Sequence, residues 1–583
     1  KKSFKDYYNS KGTIIMKVNG GELVVKQLAK ENIKAIFGLV GFYVSPIFAA
    51  CNEYGIEVIG TRHEQAAVHM AESYTQTSGK IGVVAITGGP GLINAVSAIT
   101  KAYMSQTPLL VIAGSFPPMQ KDVGGLEDME QMYLVKKFSK WTATVYDEKR
   151  IPEYIEIAIR NAVCGRRGPV VLEIPINYLL AECDTDDIIW PPTLRTDVMC
   201  YGDINKVNEA VKLISNAQKP VLVIGDDLFY TGGEKVLNEF IDKFKIPVLT
   251  ISASRGIIPD DSEYCFGSGR TIEGSTQLSI YKNSDLIIFG GVPLDYSVSF
   301  GKDFVFDDKQ IFIQIDTEAH TIGSSSRRVD LGIVGNTEAV LKQMIDISDE
   351  YLFDDKFKNW VKECNEHRNR FLSNTLNKKC DNLVNPAYVL GTIRNMISRD
   401  SIVVLDGSNA MLWGCALLES NVPGGMIIGP NSTYGQMGAG LPLALGAKYA
   451  HPNREVILYT GDGSLGFNFM EIETAVRIGL KVIIVIHNDF SWGFCKESQR
   501  LAFGKKKCGY GTQLGSSRYD LAVEALGGKG FYVTEDAQFK DVFKKALETD
   551  KITCINVITN SMMSPGSEFL NSSVIEIKED DDE

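Results

Sequence analysis

No two cysteines stand at C-x-x-C spacing in this chain of 583 residues, although there are 11 of them, among them Cys51, Cys164, Cys265, Cys415 and Cys554. Their scatter excludes a zinc ribbon and a disulfide framework, and it points to a reducing, cytoplasmic setting. No uninterrupted apolar run reaches the ~18 residues that a membrane span needs, so no membrane partner is expected. The 60 basic residues form no long stripe, and against 72 acidic ones they leave a net charge of -12, which argues against a nucleic-acid partner and for small-molecule substrates. The first fifteen residues, polar and lysine-rich before Met16, lack the apolar core of a signal peptide and read as an extension with no part in the fold. The charged run Lys578 to Glu583 reads as a solvated end.

What the chain does have is length for about three or four domains, and one segment of unusual content. Glu455 to Asp489, EVILYTGDGSLGFNFMEIETAVRIGLKVIIVIHND, reads as strand, glycine-rich loop, helix and strand. Asp462 and Asp489 lie twenty-seven positions apart, so two parallel strands would end side by side with an acid on each. Two oxygen ligands beside a glycine loop suit a hard divalent cation and a diphosphate carried on it. A dinucleotide site is the rival, because Gly461, Gly463 and Gly466 spell G-x-G-x-x-G and Asp489 follows twenty-three residues later. Asp462 decides between them: a carboxylate inside the loop repels a bare pyrophosphate but serves well where a cation bridges the two.

The segment has an echo. Val83 to Ser115, VVAITGGPGLINAVSAITKAYMSQTPLLVIAGS, aligns on it without a gap at an offset of 373, with Gly89 where Asp462 stands. One strand-loop-helix-strand design is used twice, and only the second copy keeps the acid. Between the copies, strand-like runs at 220–225, 247–252, 285–291 and 310–316 alternate with helix-patterned stretches. The fold class is therefore α/β, with three doubly wound parallel-sheet domains expected at 16–184, 195–345 and 375–560 and a tail at 561–583.

Four separated motifs carry a resemblance: Glu64 in TRHEQAAVHMAESY, PGLIN at Pro90 to Asn94, GDGS at Gly461 to Ser464, and Asn488-Asp489. Together they resemble the thiamine-diphosphate-dependent family that includes acetolactate synthase, oxalyl-CoA decarboxylase, 2-hydroxyacyl-CoA lyase and benzaldehyde lyase, over about Gly20 to Thr559. The resemblance implies a pyrimidine-binding first domain, a Rossmann-like central one and a diphosphate-binding third, with thiamine diphosphate and Mg2+ as cofactors. It gives Glu64 the role of exchanging a proton with the aminopyrimidine ring. Pro90, Asn94, Gly407, Ser408, Asn409, Gly435, Met437, Gly461, Gly463, Ser464, Asn488, Ser491 and Trp492 are then the expected cofactor-binding set. Met437 either wedges the cofactor or packs the core. The implied metal ligands are Asp462, Asp489 and the Ser491 carbonyl; the family's usual residue at 489 is Asn, so Asp adds a charge there.

The residues after Asn488, SWGFCKESQRLAFG, are closer to benzaldehyde lyase than to acetolactate synthase. Glu127, in GLEDMEQ, stands where those two have a pocket Gln; it would act as a proton relay or cap a helix. Tyr43 and Phe42 would floor the pocket, Tyr43 being a candidate catalytic residue, with Trp492 and Phe494 as a wall. No His-His pair exists among the six histidines, which disfavours simple pyruvate decarboxylation. Relatives hold FAD, ADP or nothing in the central domain. Arg160 matches a nucleotide contact, but Asp226 would repel a phosphate, so no obligatory second cofactor is expected. The resemblance thus implies a carbon-carbon lyase or carboligase working on 2-hydroxyacyl, acyloin or 2-oxo acid substrates, as a homodimer at least and a homotetramer by family habit. An acetolactate synthase-like transferase, an oxalyl-CoA decarboxylase-like enzyme and a non-catalytic cofactor-binding paralogue remain alternatives.

Overall fold

A computed structural model describes residues 7–8, 14–15, 17–192, 199–302, 304–323, 327–380, 383–430 and 433–565. The expected boundary at residue 195, most of the first fifteen residues and the tail from 566 onward lie outside them. The chain divides into two compact units, residues 1–75 with 80–197, and 76–79 with 198–583.

The first unit contains a six-stranded sheet of β1 (Ala35–Leu39), β2 (Glu57–Gly60), β3 (Gly82–Ile86), β4 (Leu109–Ser115), β5 (Trp141–Thr144) and β6 (Val170–Pro175), in the order β2-β1-β3-β4-β6-β5. Every pairing in it is parallel. Parallel strands covered by helices on both faces read as continuous apolar runs, and β3 and β4 are buried throughout. The second unit holds two more sheets. The central one comprises β7 (Pro220–Ile224), β8 (Val248–Thr250), β9 (Cys265–Ser268), β10 (Leu286–Gly290), β11 (Ile311–Asp316) and β12 (Leu331–Val334), ordered β9-β8-β7-β10-β11-β12. Alternate residues of β7 feed two cores, Leu222 and Ile224 on one face, Val221 and Val223 on the other. The patterning of the sequence anticipates β7, β8, β10 and β11; β9 and β12 are too short and glycine-interrupted to announce themselves.

The last sheet comprises β13 (Ile402–Asp406), β14 (Met426–Ile428), β15 (Val456–Gly461), β16 (Ile483–Asn488), β17 (Lys529–Val533) and β18 (Thr553–Ile558). Its order, β14-β13-β15-β16-β18-β17, repeats that of the first sheet strand for strand, and it too is wholly parallel. The internal repeat therefore extends from one segment to a whole domain. In this order the chain reverses its direction of travel across the sheet between β13 and β15, and loops at such a switch point splay apart to leave a crevice at the carboxyl ends. Among the described residues no helix is long and apolar enough to cross a membrane.

Candidate functional site

The crevice beside β13 and β15 is an open cleft lined by residues that include Ser408, Met437, Asp462, His487, Asp489 and Trp492. Gly407, Asn409, Gly461, Gly463, Ser464 and Ser491, all expected from the sequence, line it as well. The two glycine loops face each other at close range: a Cβ on Gly407, whose φ is +87°, would lie 3.2 Å from the Ser464 hydroxyl. A Cβ on Gly463 would enter the Trp492 ring at 2.5 Å. Trp492 thus covers the GDGS loop, braced edge-on by Phe467. Behind the loops Asp406, at the end of β13, accepts from the backbone N–H of Gly407 (2.7 Å), Gly438 (3.2 Å) and Gly440 (2.8 Å), which fixes the segment that carries Met437. The Ser408 hydroxyl reaches the Met437 sulfur at 3.4 Å. Asp406 escaped the sequence reading because an acid closing a strand has many uses.

Asp462 is buried to 2% exposure, and its Oδ2 has no hydrogen-bond partner among the described residues. Burial first, and Asp489 second, push its carboxyl up to about 7. Burial also raises Asp489. Two acids raised by burial, Asp462 further by the charge of Asp489 and with an oxygen that has no partner among the described residues, fit a hard divalent cation, which would reverse both penalties. The turn after them is sharp: Phe490 has a left-handed φ of +55°, and Ser491 N–H donates back to Asp489 Oδ1 at 3.2 Å. Two expected residues, Asn488 and Gly435, do not line the cleft, and Asn409 lines it with its side chain otherwise engaged. Asn488 is turned to Asn556 (2.9 Å) and to the Phe490 N–H, outside the cleft lining. Asn409 spends its side chain on Met562 and Ser564. Gly435 has a φ of +65° but does not line the cleft. His487, unmarked by the sequence reading, does line it; burial brings its imidazole down to about 4, so the ring is neutral.

The first unit gathers a second set of expected residues. Glu64 opens the helix Glu64–Ser78 that follows β2, is 7% exposed, and accepts from Asn94 Nδ2 at 3.1 Å. Asn94 stands one turn into the helix that Pro90 starts after β3. A Cβ on Gly91 would lie 3.3 Å from Glu64 Oε1, and one on Gly89 would lie 2.8 Å from the Glu127 side chain, so both acids flank the same glycine turn. Glu127 sits at a left-handed φ of +61°, a conformation that costs a non-glycine residue energy. Burial raises its carboxyl, and its Oε2 lacks a partner among the described residues. It caps no helix: the next one, Gln131–Val135, begins after Glu130 without a side-chain cap. Tyr43 is buried and donates to the Leu126 carbonyl at 2.8 Å, pinning the Glu127 loop, whereas Phe42 is largely exposed. Gln131, also missed, accepts from Gly89 N–H (2.7 Å) and donates to Gly114 O (3.1 Å), and so holds the turn.

Fold and sites define a class, a three-domain α/β enzyme that carries a diphosphate cofactor. Residues 18–134, 207–344 and 406–557 match, in that order, the N-terminal TPP binding domain, the central domain and the C-terminal TPP binding domain of the thiamine pyrophosphate enzymes. The chain belongs to that family. It is similar to 2-hydroxyacyl-CoA lyase 1 of Homo sapiens, 28% identical over 556 residues that cover 93% of this chain and 94% of that protein. The acetolactate synthase large subunit IlvG of Mycobacterium tuberculosis is 27% identical over 549 residues, 93% of this chain and 96% of its own. The 2-hydroxyacyl-CoA lyase of Arabidopsis thaliana is 27% identical over 556 residues, with 93% and 95% covered.

Proposed function

We propose that this protein is a Mg2+-dependent carbon-carbon lyase and carboligase whose substrate is a 2-hydroxyacyl compound, a CoA thioester first. Thiamine diphosphate, when bound, supplies a nucleophilic carbon and an electron sink. Asp462, Asp489 and the Ser491 carbonyl would hold Mg2+, and the Gly407 to Asn409 loop would lend backbone N–H groups to the diphosphate. Gly435 would offer its backbone and Met437 its side chain to the rings, under the cover of Trp492. Glu64, oriented by Asn94 on the helix that Pro90 starts, would move the proton at the aminopyrimidine. Glu127 would return a proton to the carbon left after cleavage, and Tyr43 would position it.

Glu127 carries the reading. A carboxyl raised by burial stays protonated further toward neutral pH than an ordinary one, and its Oε2, without a partner among the described residues, leaves it able to donate. Lyase chemistry needs such a donor where a transferase needs a second carbonyl. The transferase alternative is supported by the equal coverage of the acetolactate synthase relative. The deciding experiment offers the enzyme, with Mg2+ and thiamine diphosphate, either a 2-hydroxyacyl-CoA or pyruvate. We expect aldehyde release from the first; a higher kcat/KM for acetolactate formation from pyruvate would overturn the assignment.

We further propose that the central domain requires no nucleotide: Asp226 and Asp227 occupy the switch point beside β7, where they accept from Ala253 N–H and Thr337 N–H. The working unit would be a homodimer or larger, with Glu64 of one copy serving the GDGS cleft of another. Exposed Phe467, Met470, Phe503 and Tyr510 supply apolar surface for that assembly.

A further inference from the structure

We propose that His487 is an additional diphosphate-binding residue, donating its Nε2–H to the cofactor's diphosphate, and that Tyr459 is the positioning residue that fixes the tautomer required. Tyr459 stands on β15 and His487 on β16, adjacent parallel strands, and the tyrosine oxygen lies 2.9 Å from His487 Nδ1. Tyr459 is wholly buried, and among the described residues His487 is its hydroxyl's one hydrogen-bond partner. A buried hydroxyl proton needs an acceptor, so the tyrosine donates to Nδ1. The imidazole proton then sits on Nε2. That nitrogen is buried and has no partner among the described residues, while the ring lines the cleft that also holds Asp462 and Asp489. A lone pair there would face acids and a phosphate; an N–H faces them favourably and asks for an anionic oxygen. The device belongs to one copy of the repeat only, since the offset of 373 sets Gly114 where His487 stands.

This inference rests on the cofactor occupying the cleft, so the test begins with the parent protein. Thiamine diphosphate is titrated at fixed Mg2+ by tryptophan fluorescence and thermal shift, with unphosphorylated thiamine as the comparison. We expect His487→Leu to weaken thiamine diphosphate binding about 10-fold, the scale of one lost hydrogen bond to a charged group, with thiamine unaffected. His487→Gln, which keeps an N–H donor, should recover most of the loss, and Tyr459→Phe should lose about 3-fold through the freed tautomer. Equal affinity of parent and His487→Leu overturns the proposal and leaves the cofactor reading intact. A parent that takes up no thiamine diphosphate overturns both. Should His487→Leu fail to fold, the Gln and Tyr459→Phe variants decide: unchanged affinity in Tyr459→Phe with tenfold loss in Gln counts against the donor role.

Discussion

The first and last sheets share a strand order, yet they treat buried acid in opposite ways. Glu72, wholly buried in the first unit, would be raised by burial alone, but Lys101 Nζ at 2.6 Å, with His69 at 3.3 Å, brings its carboxyl down to about 2. Asp462 in the last domain is almost as buried and is pushed up to about 7, its nearest charged influence being another acid. The repeat places Thr474 where Lys101 stands, and Thr474 bonds Glu471 instead of supplying a cation. Burial is the same force in both; the sign of the outcome depends on whether the chain provides the countercharge. Where it does not, the countercharge must come from outside, which is what a metal site is.

The contrast can be broken most severely from the compensated side. Lys101→Met strands the Glu72 carboxylate, and we expect chemical denaturation to show a loss of about 3–5 kcal/mol, largely restored by adding Glu72→Gln. Acid does the same to the parent more gently. Because the folded carboxyl of Glu72 lies below its ordinary 4.5, its contribution is complete above about pH 4.5 and is lost as pH falls toward 2. That amounts to about 3 kcal/mol in denaturant titrations, a slope the double variant should lack. From the uncompensated side, Asp462→Asn should weaken Mg2+-dependent thiamine diphosphate binding about 100-fold, roughly 2.7 kcal/mol, while the cofactor-free protein keeps or gains stability. Equal cofactor affinity in this variant would show that the bare carboxylate oxygen has no cation to serve. The smallest effect belongs to Glu127→Gln, for which about a 10-fold fall in kcat is expected, together with loss of the alkaline limb of the pH–rate profile that its raised carboxyl produces.

The glycine loops and both cleft acids were legible in the sequence, because a glycine loop between a buried strand and a helix has few other uses and the spacing set the acids side by side; Glu64 and Asn94 were each named by the resemblance, and only the structure shows that they meet. The repeat was legible too, through buried strands that stay apolar from end to end. What escaped has a common physical character. Asp406, Gln131 and the Tyr459–His487 pair act through contacts made by folding, between segments whose order along the chain does not show which side chains meet. Glu127 was visible as an unusual acid, but its left-handed backbone, and hence the failure of the capping alternative, is a property of the loop in place. Asn488 shows the reverse: a motif residue whose side chain ties β16 to β18, which its place in the motif does not announce.

Asp406 has a further consequence. Its two oxygens gather three backbone N–H groups, two from Gly438 and Gly440 just after Met437 and one from the loop after β13. Those segments are therefore ordered when the domain folds and have little freedom left to lose when a ligand arrives. Capture then resembles insertion into a finished socket more than the closing of a hand, so its rate should follow collision with the cleft mouth and its heat should be nearly free of loop ordering.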